Sequence, residues 1–149
     1  MIKFKNLFFI LILSLLVILS ACDSSVEETT KVCPQCHMPL PKSNINTSFI
    51  KGNSAIEYFD DIGCMILWMK ENNIDLKSVD VEVFSNDTKK YIDATKAFYR
   101  FDEQTPMRYG FAAYEKNQKS TISFDEVMIK MLRGEHMANP KIRKQILGY

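Results

Sequence analysis

Two prolines, Pro39 and Pro41, close a six-residue segment that carries two thiols, an imidazole and a thioether: Cys33-Pro34-Gln35-Cys36-His37-Met38. Proline lacks a backbone N–H and pushes the residue before it out of the helical region. No helix can run on through this segment, so its donor groups are predicted to stand on a loop. Three of the four are sulfur, and soft sulfur donors select Cu(I), and to a lesser extent Zn²⁺ or iron–sulfur centres, over hard cations.

The spacing admits several chemistries. Two residues between Cys33 and Cys36 let both sulfurs turn toward one ion. The same spacing serves thiol–disulfide oxidoreductases, although there the pair sits at a helix N-terminus that lowers the thiol pKa, and the prolines argue against that helix. Cys33-x-x-Cys36-His37 also matches the c-type haem attachment motif, which needs a large apolar wrapping and typically a helix bearing the motif. A structural disulfide would close a loop too short to remove much unfolded-state entropy. The motif by itself leaves the metal, redox and haem readings open.

What precedes it is targeting sequence. Lys3 and Lys5 form a positive n-region, and Leu7 to Leu19 is an apolar run of 13 residues broken only by Ser14. That is signal-peptide length, short of the roughly 20 residues a helix needs to cross a bilayer. The run ends in Leu19-Ser20-Ala21-Cys22, which resembles a bacterial lipobox, with Cys22 the lipidated first residue of the mature protein. Asp23 behind it resembles an inner-membrane retention signal. The polar stretch up to Val32 reads as a solvated tether. The expectation is a protein anchored by acyl chains to the cell membrane and facing the periplasm. Setting aside Cys22 leaves three cysteines in the mature body, and an odd number in an exported protein points to a reactive or metal-binding thiol. Without Lys3 and Lys5 the chain has 17 basic against 18 acidic residues. That near-neutral balance lacks the basic face nucleic acid would require.

The body reads as α+β. Residues 47–51 and 54–59 are predicted strands around a Gly52-Asn53 turn. Asp60 and Asp61 read as N-cap and first-turn carboxylates of a helix over 62–72. Residues 79–84 alternate strictly and read as a strand. Shorter strands follow at 91–92, 97–101 and 110–114, with 93–96 a turn in the alternative. Ser123 or Asp125 caps a helix through Val127, Met128, Met131 and Leu132 that Gly134 ends. A basic helical tail starts near Asn139, with Pro140 in its first turn. The order suggests a degenerate repeat of a small strand–strand–helix unit.

Methionines on helical stripes are usually packing, which covers Met65, Met69, Met128 and Met131. Met107, in the corner Thr105-Pro106-Met107, has no such stripe to serve. Cys64 falls in the first turn of its helix, where the helix dipole favours a thiolate. His37 is either a ligand or a loop histidine, and His136 has no sulfur neighbours in sequence. No catalytic triad, paired catalytic carboxylates or phosphate loop is visible, so the expectation is a binding protein and not an enzyme.

Five blocks in order now carry a resemblance: the lipobox at Cys22; Cys33, Cys36 and Met38; Phe59-Asp60-Asp61-Ile62-Gly63-Cys64-Met65 with Trp68; Tyr91-Ile92-Asp93-Ala94 with Ala97-Phe98-Tyr99; and Thr105-Pro106-Met107. Together they resemble the NosL family of copper-binding lipoproteins that accompany nitrous oxide reductase. The resemblance implies a Cu(I) metallochaperone serving that reductase and its maturation machinery, with one Cu(I) per monomer. It implies metal held by Cys33, Cys36, Met38 and Met107, with Cys64, Met65 and His37 as second-tier candidates. It also implies a fold of two related ββαβ units, similar to parts of organomercurial lyase. On that basis residues 1–21 are the signal peptide and 22–32 the tether. The copper-binding domain is 33–134, divided into about 33–86 and 87–134, and the helical tail is 135–149. Two departures stand out: His37 replaces the glycine more usual before the motif's methionine, and beyond Glu115 no closing strand is visible.

Overall fold

The computed structural model describes residues 31–148. The signal peptide, the lipidation site Cys22 and nearly all of the tether lie outside them. Strands β1 (Ser48–Lys51) and β2 (Ile56–Phe59) form a hairpin whose turn is closed by the Gly52 N–H on the Ala55 carbonyl at 3.0 Å. Helix α1 (Ile62–Glu71) follows, then β3 (Asp80–Phe84) and β4 (Tyr91–Asp93). These strands make an antiparallel sheet in the order β2-β1-β3-β4. Alternation along each strand separates its two faces. Ile50 and its cross-strand partner Val81 are buried in the same core cluster as Ile62, Cys64, Met65, Ile66 and Met69 of α1. On the other face Phe49 stands 5.3 Å from Tyr58 and 5.0 Å from Tyr91 between ring centroids, and Tyr91 lies 5.4 Å from Phe84. This aromatic ladder pins the register of strands only three to five residues long.

The second sheet is smaller. Strands β5 (Phe98–Arg100), β6 (Ala112–Tyr114) and β7 (Thr121–Ile122) are antiparallel in the order β6-β5-β7. Helix α2 (Phe124–Arg133) comes after them, opened by a capping box in which Ser123 and Glu126 exchange side-chain and backbone hydrogen bonds. Gly134 ends it at φ 73°, a left-handed conformation that glycine takes without penalty. Helix α3 (Pro140–Leu147) is capped by Asn139 and buries none of its residues. Phe124, Val127 and Met131 of α2 join the same core cluster as α1 and the first sheet, so one core serves both halves. No helix among the described residues is long and apolar enough to cross a membrane.

The α+β class stands as expected; the strands form two small antiparallel sheets, and the second half does not repeat the element order of the first. Only the first half follows β-β-α-β; the second runs β-β-β-α, and no strand follows α2 among the described residues. Strand β4 lies beyond residue 86 yet pairs with β3 in the first sheet. The extra strand β7 is two residues long and half-buried, too short to show periodicity in sequence.

Gly63 explains how the halves meet. A Cβ there would lie 2.3 Å from a Tyr109 ring carbon and 2.8 Å from the terminal methyl of Met131. The bare first turn of α1 therefore lets the 105–110 loop and α2 close directly against it.

Candidate metal centre

Residues 31–40 form a tight knuckle. A single antiparallel bridge joins Val32 to Pro39, and the Leu40 N–H reaches the Lys31 carbonyl at 2.9 Å. Inside it the Cys33 N–H donates to the Met38 carbonyl and the His37 N–H to the Cys33 carbonyl, both at 2.9 Å. The turn is sharp enough to put His37 at φ 60°, the left-handed region. As the prolines required, the motif is not on a helix. Cys33 is fully buried, Cys36 is partly exposed, and His37 and Met38 lie on the outside.

The knuckle sits against the start of α1. Asp61 is the N-cap, accepting from the Gly63 N–H at 2.9 Å with one oxygen and from the Met107 N–H at 3.3 Å with the other. Burial raises its pKa to about 6, against the lowering effect of those donors and the Thr105 hydroxyl. Asp60 does not cap the helix. Its Oδ1 accepts from the Cys36 thiol at 3.3 Å, while Oδ2, on a residue only 1% exposed, has no hydrogen-bond partner. Cys64, the third residue of α1, is fully buried behind them.

The sulfurs of Cys33, Cys36 and Cys64 and a carboxylate oxygen of Asp60 all lie within 4.8 Å of one another. The three cysteines are free thiols. The neighbouring Cys64 thiol and backbone N–H groups outweigh burial and lower the Cys33 pKa to about 6. Burial, together with the neighbouring Cys33 and Asp60, pushes Cys36 up to about 12. The adjacent Cys33 and burial push Cys64 well up. A thiophilic ion is bound by thiolates, so loading the group releases the protons that its thiols carry. Three sulfurs and one carboxylate around a common point form a donor set that can hold a metal ion, and the orphaned Asp60 oxygen is the kind of buried atom an ion would satisfy.

Of the predicted site residues, Cys33, Cys36 and Cys64 converge. Met107 is half-buried against the core and joined to the site through Asp61. Met38 is 39% exposed on the knuckle. Met65 is wholly buried in the core cluster and serves packing. Neither His37 nor His136 belongs to the converging group among the described residues; His136 instead packs edge-on to Tyr109. Asp60 is the residue that the reading of Asp60-Asp61 as a cap overlooked. Compared with known proteins, the chain matches no family model and no curated sequence.

Proposed function

We propose that this protein is a membrane-tethered Cu(I) carrier of the NosL type, delivering copper to nitrous oxide reductase outside the cytoplasm. The observation that carries the reading is the convergence of three free thiols, two of them fully buried, in one group. Cu(I) is the cargo that such a set favours, because it takes few ligands and prefers polarisable sulfur. Cys33 and Cys64 are the interior donors. Cys36, on the exposed side, is where an incoming ligand from the recipient can displace a sulfur. Met38, on the same knuckle, and Met107, whose backbone N–H binds Asp61, are the thioethers assigned to assist. A carrier must release as well as bind, and an exchangeable outer donor serves that better than four closed ones.

The haem alternative fits this geometry poorly. Thioether attachment needs both sulfurs to reach a porphyrin edge, whereas Cys33 is packed in the core cluster and His37 is exposed and outside the converging group. Competition between the reduced protein and a chromophoric Cu(I) chelator tests the proposal. One Cu(I) per chain, lost in the Cys33→Ser/Cys36→Ser variant, is expected. Affinity unchanged in that variant overturns it. Delivery is tested by the copper content of nitrous oxide reductase made with and without the protein.

A further inference from the structure

We infer that Asp60 is the metal-selecting donor of this pocket: the sulfurs alone suffice for Cu(I), and Asp60 adds the fourth ligand that lets the same pocket hold a divalent thiophilic ion such as Zn²⁺. The inference rests on reading the group as a metal site but not on copper being its cargo.

Three observations carry it. Asp60 is buried to 1% exposure yet leaves Oδ2 without a partner. A buried carboxylate oxygen with no donor is costly and persists where something else satisfies it. The same carboxylate lies within 4.8 Å of all three sulfurs, so one ion can reach four donors at once. Finally, Asp61 takes the whole of the capping task, which leaves Asp60 without a structural hydrogen bond except the one from Cys36.

Charge decides which ion makes use of it. Three thiolates and one carboxylate carry four negative charges in a buried site. A monovalent ion leaves three of them uncompensated and a divalent ion leaves two, and uncompensated charge in low dielectric is expensive. Zn²⁺ prefers four tetrahedral donors drawn from sulfur, nitrogen and carboxylate oxygen, whereas Cu(I) is content with fewer and softer ones. Asp60 therefore closes around a divalent ion and stands aside for Cu(I), keeping its hydrogen bond to Cys36 when that thiol is not fully engaged.

The test uses the full chain, reduced and held in detergent, with Co²⁺ as a coloured stand-in for Zn²⁺. Wild type binds one Co²⁺ with thiolate-to-cobalt charge transfer and the intense d–d absorption of a four-coordinate site, and Zn²⁺ displaces it. Asp60→Asn, nearly isosteric, lowers Co²⁺ affinity by about 10–100-fold or more while Cu(I) affinity stays within about threefold. Asp60→Cys restores Co²⁺ binding with the stronger charge transfer of a fourth sulfur. Retained Cu(I) binding in these variants also shows that the pocket is still folded. Undiminished Co²⁺ affinity in Asp60→Asn overturns the assignment, as does loss of Co²⁺ and Cu(I) together. Should wild type take Co²⁺ but not Cu(I), the copper-carrier proposal falls and this one stands.

Discussion

The Cys36 thiol donates to Oδ1 of Asp60 at 3.3 Å, joining residues 24 apart in sequence. Together with the Gln35 amide, which donates to Glu71 of α1 at 3.2 Å, this contact links the knuckle to the helix. The carboxylate next to it, Asp61, binds the first turn of α1 and the Met107 N–H in the second half of the chain. Two adjacent aspartates thus divide the work, one accepting from the Cys36 thiol and the other joining α1 to the 105–110 loop.

The third sulfur is Cys64, and its removal is expected to matter as much as loss of either knuckle thiol. Cys64→Ser is nearly isosteric but removes a soft ligand, so Cu(I) affinity should fall by about 10–100-fold with the fold retained. Chelator competition alongside far-UV circular dichroism checks this. Unchanged affinity would restrict the site to the knuckle.

His37 supplies a backbone conformation more than a side chain. At φ 60° a residue with a Cβ is strained by roughly 1 kcal/mol, which glycine avoids. Part of that gain is lost to the added freedom of the unfolded chain. His37→Gly is expected to leave stability unchanged or raise it by up to about 1 kcal/mol, and to leave Cu(I) affinity as it was. Urea unfolding and chelator competition measure the two, and a drop in affinity would make the imidazole a ligand after all.

Gly63 is predicted to be the least replaceable glycine. An added methyl meets the Tyr109 ring at 2.3 Å and Met131 at 2.8 Å, on two elements at once. Overpacking of this kind costs about 1–3 kcal/mol, and Gly63→Ala should lose that much in urea unfolding. Gly52→Ala is the control: its Cβ would meet nothing nearer than 3.9 Å, and no comparable loss is expected.

Much of this was legible from local signals. Pro39 and Pro41 forbade a helix at the thiols, Gly52-Asn53 marked the hairpin, and Ser123 and Gly134 marked both ends of α2. Each of these acts within a few residues, where backbone chemistry is readable. The pairing of Cys36 with Asp60 was not, because nothing near Asp60 distinguishes a capping carboxylate from one that reaches a loop 24 residues earlier. The second half was misjudged for a related reason. Strand β7 is paired only with β5, and its two residues carry no pattern of their own. For His37 the sequence left ligand and loop histidine open; the left-handed turn leaves it exposed on the knuckle.

Acid should loosen the joint between the sheets through Asp87. Its carboxylate accepts from the Ser85 hydroxyl and from the N–H groups of Thr88, Glu115 and Lys116, bridging the β3–β4 turn to the end of β6. Burial alone would raise its pKa, but the Ser85 hydroxyl and those N–H groups outweigh it and hold the carboxyl well below the usual range. A carboxyl whose folded pKa is depressed stabilises the protein fully above its unfolded pKa, and that contribution disappears as the pH falls through the folded value. The loss should begin below about pH 4 and amount to about 1 kcal/mol, given partial solvent screening. Asp61 acts in the opposite sense, because its pKa is raised to about 6 and its contribution is lost as the pH rises. The difference between wild type and Asp87→Asn isolates the Asp87 effect. Urea midpoints measured from pH 6 down to pH 2 should converge at the acid end, and a constant gap over that range would assign Asp87 a packing role in place of an ionic one.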